Sequence, residues 1–370
     1  MTTPILLLGL SVLLSGCKTL GPISIPADRF NYNMASAQSA NEQMLLNILR
    51  LRYGEPIHFL EIGSMLSQYQ FNLSGQVSGW QNDLNVWRNP ALRAVYNVDG
   101  DPNSQDAWRA NFAYSDSPTI TYAPLQGEAF ANRVMSPIPP ATVFYLSQSG
   151  WSIDRLLECC VQQIGNVRNA PIHDIRGADF WSTVKFRTVA DLLKKIQDAG
   201  RLQIDVEVDA ETKVVYLYLP QDMTGFEEEA KEMGDLIGIT PGLQRIKIVQ
   251  GGHETDKGTL LMKTRSLLGM MNALAQAITP PKKHIEGGYV QKVDADQVAV
   301  VTQPWLTVEF SSTPNLDPFV QVRYNGYWWY IEKSDWQSKR TFALLTYLFS
   351  LQATETAASL PLVTIQAGGR

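Results

Sequence analysis

The chain has 370 residues, 45% hydrophobic and 18% charged, which is enough for a sizeable core and too apolar for wholesale disorder. Its formal net charge of −5 gives no electrostatic basis for binding nucleic acid, and three cysteines are too few for a disulfide scaffold.

Ile5 to Leu14 is a continuous apolar stretch. Ten helical residues rise only about 15 Å, half the hydrocarbon thickness of a bilayer, so the stretch does not span one. Its length suits the apolar region of a signal peptide. Leu14-Ser15-Gly16-Cys17 follows at once, a branched apolar residue, two small ones and a cysteine. This lipobox resembles that of bacterial lipoproteins. The resemblance implies lipidation of Cys17, cleavage before it with Leu14, Ser15 and Gly16 as recognition residues, and acylation of the new amino group. Several acyl chains, each worth about 0.8 kcal/mol per buried methylene, make a stable anchor. Lys18 stands where Asp would retain such a protein in the inner membrane, so the resemblance points to the outer membrane and a mainly periplasmic chain. Met1-Thr2-Thr3-Pro4 departs from the signal-peptide pattern, having no Lys or Arg. Either the α-amino group suffices or translation starts upstream. The expected divisions are a signal peptide over 1–16 and a lipidated tether over 17–35, with Gly21, Pro22 and Pro26 and no sustained period.

The next division covers 36–150. Ala37, Ala40, Met44, Leu45, Ile48 and Leu51 predict a helix over Ser36 to Tyr53, ended by Gly54 and Pro56, and Phe59, Ile62, Met65 and Leu66 continue helical spacing from His58 to Gln68. The period then changes. Tyr69, Phe71, Leu73, Gly75 and Val77 alternate with polar residues, as do Trp108, Ala110, Phe112 and Tyr114. With Asn89-Pro90, Asp99-Gly100 and Asp101-Pro102 between them, these read as a long amphipathic β-hairpin with an elaborated tip. Five prolines between 116 and 140 suggest a wrapping segment with a short helix at Gly127–Met135.

Residues 151–240 form the third division. A helix is expected over Ile153 to Ile164. Val184–Arg187 reads as a strand, and Thr188 as the cap of a helix that carries Val189, Leu192, Leu193 and Ile196 and ends at Gly200. Strands at Leu202–Val208 and Val214–Leu219 and a helix at Gly225–Ile237 complete a β-α-β-β-α order, one sheet with helices on one side. This order is similar to the small ring-building domains of periplasmic secretion proteins, a topological likeness over about 55 residues.

Residues 241–370 read as a strand-rich α+β part. A strand at Leu243–Gln250 and a helix at Thr264 to Ile278, stopped by Pro280-Pro281, precede strands at Leu306–Phe310, Phe319–Tyr324 and Tyr327–Ile331, with Asn325-Gly326 as a two-residue hairpin turn. Ser334 to Leu351 fits a helix or a buried strand, and Leu360–Gln366 a closing strand. From Arg265-Ser266-Leu267 to Ser338-Lys339-Arg340-Thr341-Phe342 the chain resembles the C-terminal half of uncharacterised lipoproteins of Gram-negative bacteria, which implies no activity. The expected class is therefore α+β, several small mixed units.

The chemistry-bearing residues form no recognisable catalytic set. His58, His173, His253 and His284 lack partners at metal-ligand spacing, and His253-Glu254 fails as a zinc motif because position 257 is Lys. Gly75-Gln76-Val77-Ser78-Gly79 places its serine one residue late for a nucleophile elbow. Lys257-Gly258-Thr259 and Lys263-Thr264 lack a phosphate-cradling glycine pattern. Asp205, Glu207 and Asp209 share a strand face, as a carboxylate cluster or as a solvated side. Cys159 and Cys160 are too close for an ordinary disulfide and read as buried thiols. Tyr327-Trp328-Trp329-Tyr330 is either a carbohydrate platform or core. No catalytic residue, metal ligand or cofactor is expected.

The hairpin discriminates between functions. Each arm is about nine residues, near the length a tilted strand needs to cross a bilayer, so Tyr69, Phe71, Leu73, Val77, Trp108, Phe112 and Tyr114 are candidate membrane-facing residues. One hairpin cannot span alone, because its edges would leave backbone groups unsatisfied in lipid. Three readings follow. The first is a non-enzymatic lipoprotein, anchored in the outer membrane, that builds or supports an envelope complex by binding other envelope proteins or itself. The second is an oligomeric pore with one hairpin per subunit, and the third an envelope glycan or peptide hydrolase.

Overall fold

Residues Leu20–Arg52 form one helix, α1, of 33 residues. The expected tether therefore gives way to helix from residue 20. Pro22 lies in the first turn, where its missing N–H would have had no intrahelical partner, and Pro26 removes a single bond. The burial expected along the Ala37–Leu51 stripe is confined to the last turns: Met44, Leu45, Ile48 and Leu49 are buried, while Ala37 and Ala40 are exposed, as are Phe30 and Met34. Gly54, at φ 74°, ends the helix in the left-handed region. The computed structural model describes residues 20–66, 69–78, 107–116, 119–169, 178–209, 212–218, 224–239, 245–251, 258–291 and 305–351, with backbone alone for 20–28, 65–66, 69–78, 107–116, 178–180, 208–209 and 212–213.

The fold is α+β, with two compact units, one made of 60–125 and the other of 1–59 with 126–370. The smaller unit is a β-ribbon. Strands β1 (Phe59–Leu66) and β4 (Thr119–Leu125) pair, and β2 (Tyr69–Ser78) and β3 (Ala107–Asp116) pair inside them in chain order. The helix expected at 58–68 is thus a strand. Its apolar spacing matches a helix, but Gly63 and Ser64 are poor helix formers and β4 supplies a backbone partner about sixty residues away. The strand β4 lies in the segment read as a proline-rich wrap, where Pro118 and Pro124 obscure a short Thr-Ile-Thr-Tyr alternation.

The larger unit opens with α2 (Gly127–Met135), at the bounds expected, then α3 (Pro140–Gln148), whose N-terminal proline fits the first turn. Helix α4 (Ile153–Cys160) stops four residues short of its expected end and turns directly into β5 (Val161–Ile164), followed by β6 (Val167–Arg168). Helix α5 (Ala178–Asp198) absorbs the strand expected at Val184–Arg187. Thr188 does not cap it but sits inside it, its hydroxyl donating to the Val184 carbonyl at 3.2 Å. Phe186, Val189, Leu192, Leu193 and Ile196 then give one continuous buried stripe.

Strands β7 (Gln203–Asp209) and β8 (Thr212–Tyr218), helix α6 (Glu227–Ile237), and strands β9 (Arg245–Gln250) and β10 (Thr259–Thr264) follow. One six-stranded sheet takes the order β6-β5-β10-β9-β8-β7, with only β9 and β10 parallel. The boundary expected at 240/241 falls inside this sheet, because β9 and β10 lie between β5 and β8. Val215, Leu217, Ile246, Ile248, Leu260 and Met262 share one core with residues of α3, α4, α5 and α6.

Helices α7 (Leu267–Gln276) and α8 (Lys282–Glu286) lead to a three-stranded sheet of β11 (Glu309–Ser311), β12 (Pro318–Tyr324) and β13 (Tyr327–Glu332), ordered β11-β13-β12. Asn325 and Gly326, at φ 47° and 85°, make the turn whose twist suits a hairpin. The ambiguous stretch after Ser334 is helix α9 (Trp336–Leu351), capped by the Asp335 carboxylate, which accepts from the Ser338 N–H at 3.0 Å. The strand expected at Leu360–Gln366 lies outside the described residues.

Candidate functional site

The ribbon's inner pair has an unbroken antiparallel register of ten residue pairs. It sets Phe71 opposite Tyr114, Leu73 opposite Phe112, Gly75 opposite Ala110 and Val77 opposite Trp108. The intervening positions pair Gln70 with Ser115, Asn72 with Ala113, Ser74 with Asn111 and Gln76 with Arg109. Directly opposed residues share a sheet face, so the apolar set of both strands falls on one face and the small or polar set on the other. Sequence alternation establishes a face for each strand separately. Only the register makes the two faces coincide. The strands hold two charged residues, Arg109 on the polar face and Asp116 at the end opposite Tyr69. Among the described residues neither strand has a second neighbour in its sheet, so each leaves one backbone edge unpaired. On the flanking pair, Leu60 and Tyr122 are exposed. The lipidation residues Leu14, Ser15, Gly16 and Cys17 lie outside the described residues, and for the seven candidate membrane-facing positions the backbone alone is described.

In the larger unit several buried polar side chains are engaged in structure. His284, buried on α8, shares a 2.7 Å hydrogen bond through Nδ1 with the Tyr53 hydroxyl. Burial, aided by the Lys283 ammonium, lowers the His284 pKa, and burial pushes the Tyr53 phenol up to about 12. Both shifts favour the neutral form of each group. Tyr289 and Tyr327 meet the imidazole edge-on at 5.5 and 5.3 Å. Within the aromatic run, Trp329 is fully buried and donates through Nε1 to the Tyr324 carbonyl at 3.0 Å, which makes it core and not a platform.

A second junction gathers at the end of α4. Glu158 accepts from Trp305 Nε1 at 2.6 Å and lies 3.4 Å from Arg187 Nε, and burial raises its pKa. The Arg265 guanidinium donates to the carbonyls of Glu158, Cys159 and Asn169 at 2.7, 3.2 and 2.9 Å. Cys159 and Cys160 are buried free thiols, and burial pushes Cys159 up to about 12, far from thiolate reactivity. Asp205 and Glu207 are exposed, Glu207 pairing with Arg245, whose guanidinium lies 3.7 Å over the Tyr216 ring. They form the solvated side of β7, and Asp209 has only its backbone described. An open groove of about 430 Å³ lies between Ala277 and Thr279 on one side and Leu306–Phe310 on the other, with Glu309 its one ionisable lining residue. Among the described residues no group of three His, Cys, Asp or Glu side chains could hold a metal ion, and no helix is long and apolar enough to cross a membrane.

Comparison with protein-family models, curated proteins and solved structures finds no match. Sequence reasoning passed over Arg265, Asn169 and Arg155. Each works by donating to main-chain carbonyls, a role that carries no sequence spacing.

Proposed function

We propose that this protein is a lipoprotein of the outer membrane, anchored at Cys17 and mainly periplasmic, that acts by association within an envelope complex and not by catalysis. The observation that carries the reading is the ten-pair register of β2 and β3, which gives a two-stranded ribbon one contiguous apolar face and two open edges. An isolated two-stranded ribbon is marginal in water, so such an element calls for a partner surface. The lipobox supports the anchor, and the structural engagement of His284, Glu158 and both thiols leaves the larger unit without a poised nucleophile or acid–base pair among the described residues.

The test uses full-length protein expressed in a Gram-negative host. Incorporation of a palmitate analogue is expected in the natural chain and lost with Cys17→Ser, together with sedimentation in the outer-membrane fraction. A photo-crosslinking residue at Gln70 on the ribbon is expected to trap partners, and one at exposed Lys231 on α6 far fewer. Outer-membrane sedimentation unaffected by Cys17→Ser would refute the anchor, and an uncrosslinked ribbon would refute association.

A further inference from the structure

We infer that several copies of this chain align their β2–β3 ribbons edge to edge and close them into one barrel across the outer membrane, with the apolar face toward lipid and the polar face around a water-filled passage. The inference rests on the association reading above and names both occupants of the ribbon: second copies at its edges and lipid on its apolar face.

Length is the first argument. Ten residues at about 3.4 Å each extend about 34 Å, and at a 45° tilt they cover about 24 Å, matching the apolar band of about 25 Å on transmembrane barrels. The second is the distribution of charge. Arg109 takes a register position on the polar face, and Asp116, the one charged residue on the apolar face, sits at the end of its strand, where an interface lies. The interior of the apolar face carries no charge.

Closure is the third argument. In lipid the unpaired edges of a two-stranded ribbon leave a row of N–H and C=O groups without partners, and only a closed sheet removes such edges. The smaller unit supplies no further strand to the β2–β3 pair among the described residues. Pairing β2 of one copy with β3 of the next keeps the antiparallel alternation and repeats one heterologous contact around a ring. The strand number is then even, and because the smallest such barrels have eight strands, the ring has about four copies or more.

Adjacent residues on opposite faces provide the test. Lipidated full-length protein, extracted in mild detergent, is placed in planar bilayers of phosphatidylethanolamine and phosphatidylglycerol and its conductance recorded. The natural chain is expected to conduct. Leu73→Arg, at the middle of the apolar face, is expected to lower the inserted, conducting fraction roughly thirtyfold or more, whereas Ser74→Arg keeps conductance and shifts it toward anions. Near-ultraviolet circular dichroism, to which the buried Trp329 contributes among nine tryptophans, is expected to be unchanged in both variants. A natural chain that does not conduct, or equal losses in the two variants, overturns the barrel. Electron microscopy of the natural chain in detergent decides independently of any variant: closed rings with a detergent belt support it, and monomers overturn it. Monomers whose Gln70 position still crosslinks to other envelope proteins overturn the barrel and leave the association reading standing.

Discussion

Replacing Arg265 with Met should loosen the whole larger unit from a single point, the end of α4. This helix passes into β5 without a loop, so its last carbonyls must be satisfied on the spot. The Leu157 carbonyl accepts from the Val161 N–H, and the Cys160 carbonyl from the Arg265 backbone N–H at 2.7 Å. The Arg265 side chain serves Glu158, Cys159 and Asn169. Without the guanidinium, the Glu158 carbonyl keeps Asn169 Nδ2 at 2.8 Å, while the carbonyls of Cys159 and Asn169 lose that donor. Each orphaned buried acceptor costs about 1–3 kcal/mol, or roughly 2–6 kcal/mol for the pair. Removing a buried cation returns part of its desolvation penalty, which leaves a net loss of about 3 kcal/mol. For a unit of this size the loss lowers Tm by about 6–12 °C. Arg265→Lys should lose less, since an ammonium reaches some of the carbonyls without the planar fork. Urea unfolding of the full-length chain, followed by far-ultraviolet circular dichroism, measures the difference. A loss below about 0.5 kcal/mol for Arg265→Met would refute the reasoning, because other donors would then have taken over both carbonyls.

Trp329→Ala should destabilise the larger unit by about 3–5 kcal/mol in the same assay, and Trp328→Ala, on the half-buried side of β13, by less. Gly165 has φ 51° and would place a Cβ against the Ile237 carbonyl of α6, so Gly165→Ala should cost about 3 kcal/mol or more, whereas Gly200→Ala meets open space and costs only the strain of its positive φ, about 1 kcal/mol. The thiols set an alkaline limit. Cys159 is raised from 9.0 to about 12, so the native state holds its proton more tightly than the unfolded chain. Stability from this group is full below pH 9 and falls by roughly 1.4 kcal/mol per pH unit between 9 and about 12. A Cys159→Ala, Cys160→Ala double variant should show a flatter decline in urea midpoints over that range, and an unchanged slope would sink the argument.

Local chemistry was legible where the residue itself dictates conformation. Asn325-Gly326 announced its turn, Gly127–Met135 its helix, and the alternation of Tyr69–Val77 and Trp108–Tyr114 its strands. Partners distant in sequence decided the rest. Phe59, Ile62, Met65 and Leu66 have helical spacing, yet pairing with β4 makes them strand. Val184–Arg187 reads as a strand by itself, but the buried stripe of α5 runs straight through it. The six-stranded sheet was hidden because β9 and β10, which follow β7 and β8 in the chain, enter its middle and not its edge. Of the candidate site, the faces were legible and their coincidence was not, since alternation fixes parity within a strand and leaves register free by one residue.

The two units divide their polar groups in opposite ways, and that contrast fits the proposed association. In the larger unit three guanidinium groups near the core end on main-chain carbonyls. Arg52 reaches Ile278 and Gln291, Arg155 reaches Gln337, and Arg265 reaches three more. Each tie joins segments far apart in the sequence and holds its guanidinium in place. The inner pair of the ribbon, by contrast, has twenty residues with two charges, and its polar face carries Ser, Asn and Gln with two alanines and Arg109. Random surface selection gives scattered polar and apolar positions. Segregation across the register, broken on the apolar face only by Asp116 at a strand end, fits two different environments, one on each face. A protein core supplies one apolar environment, but it does not by itself require the opposite face to be nearly free of Lys and Glu, which solvent favours on exposed strands. The proposed barrel, with lipid on one side and a water-filled passage on the other, would account for both faces at once.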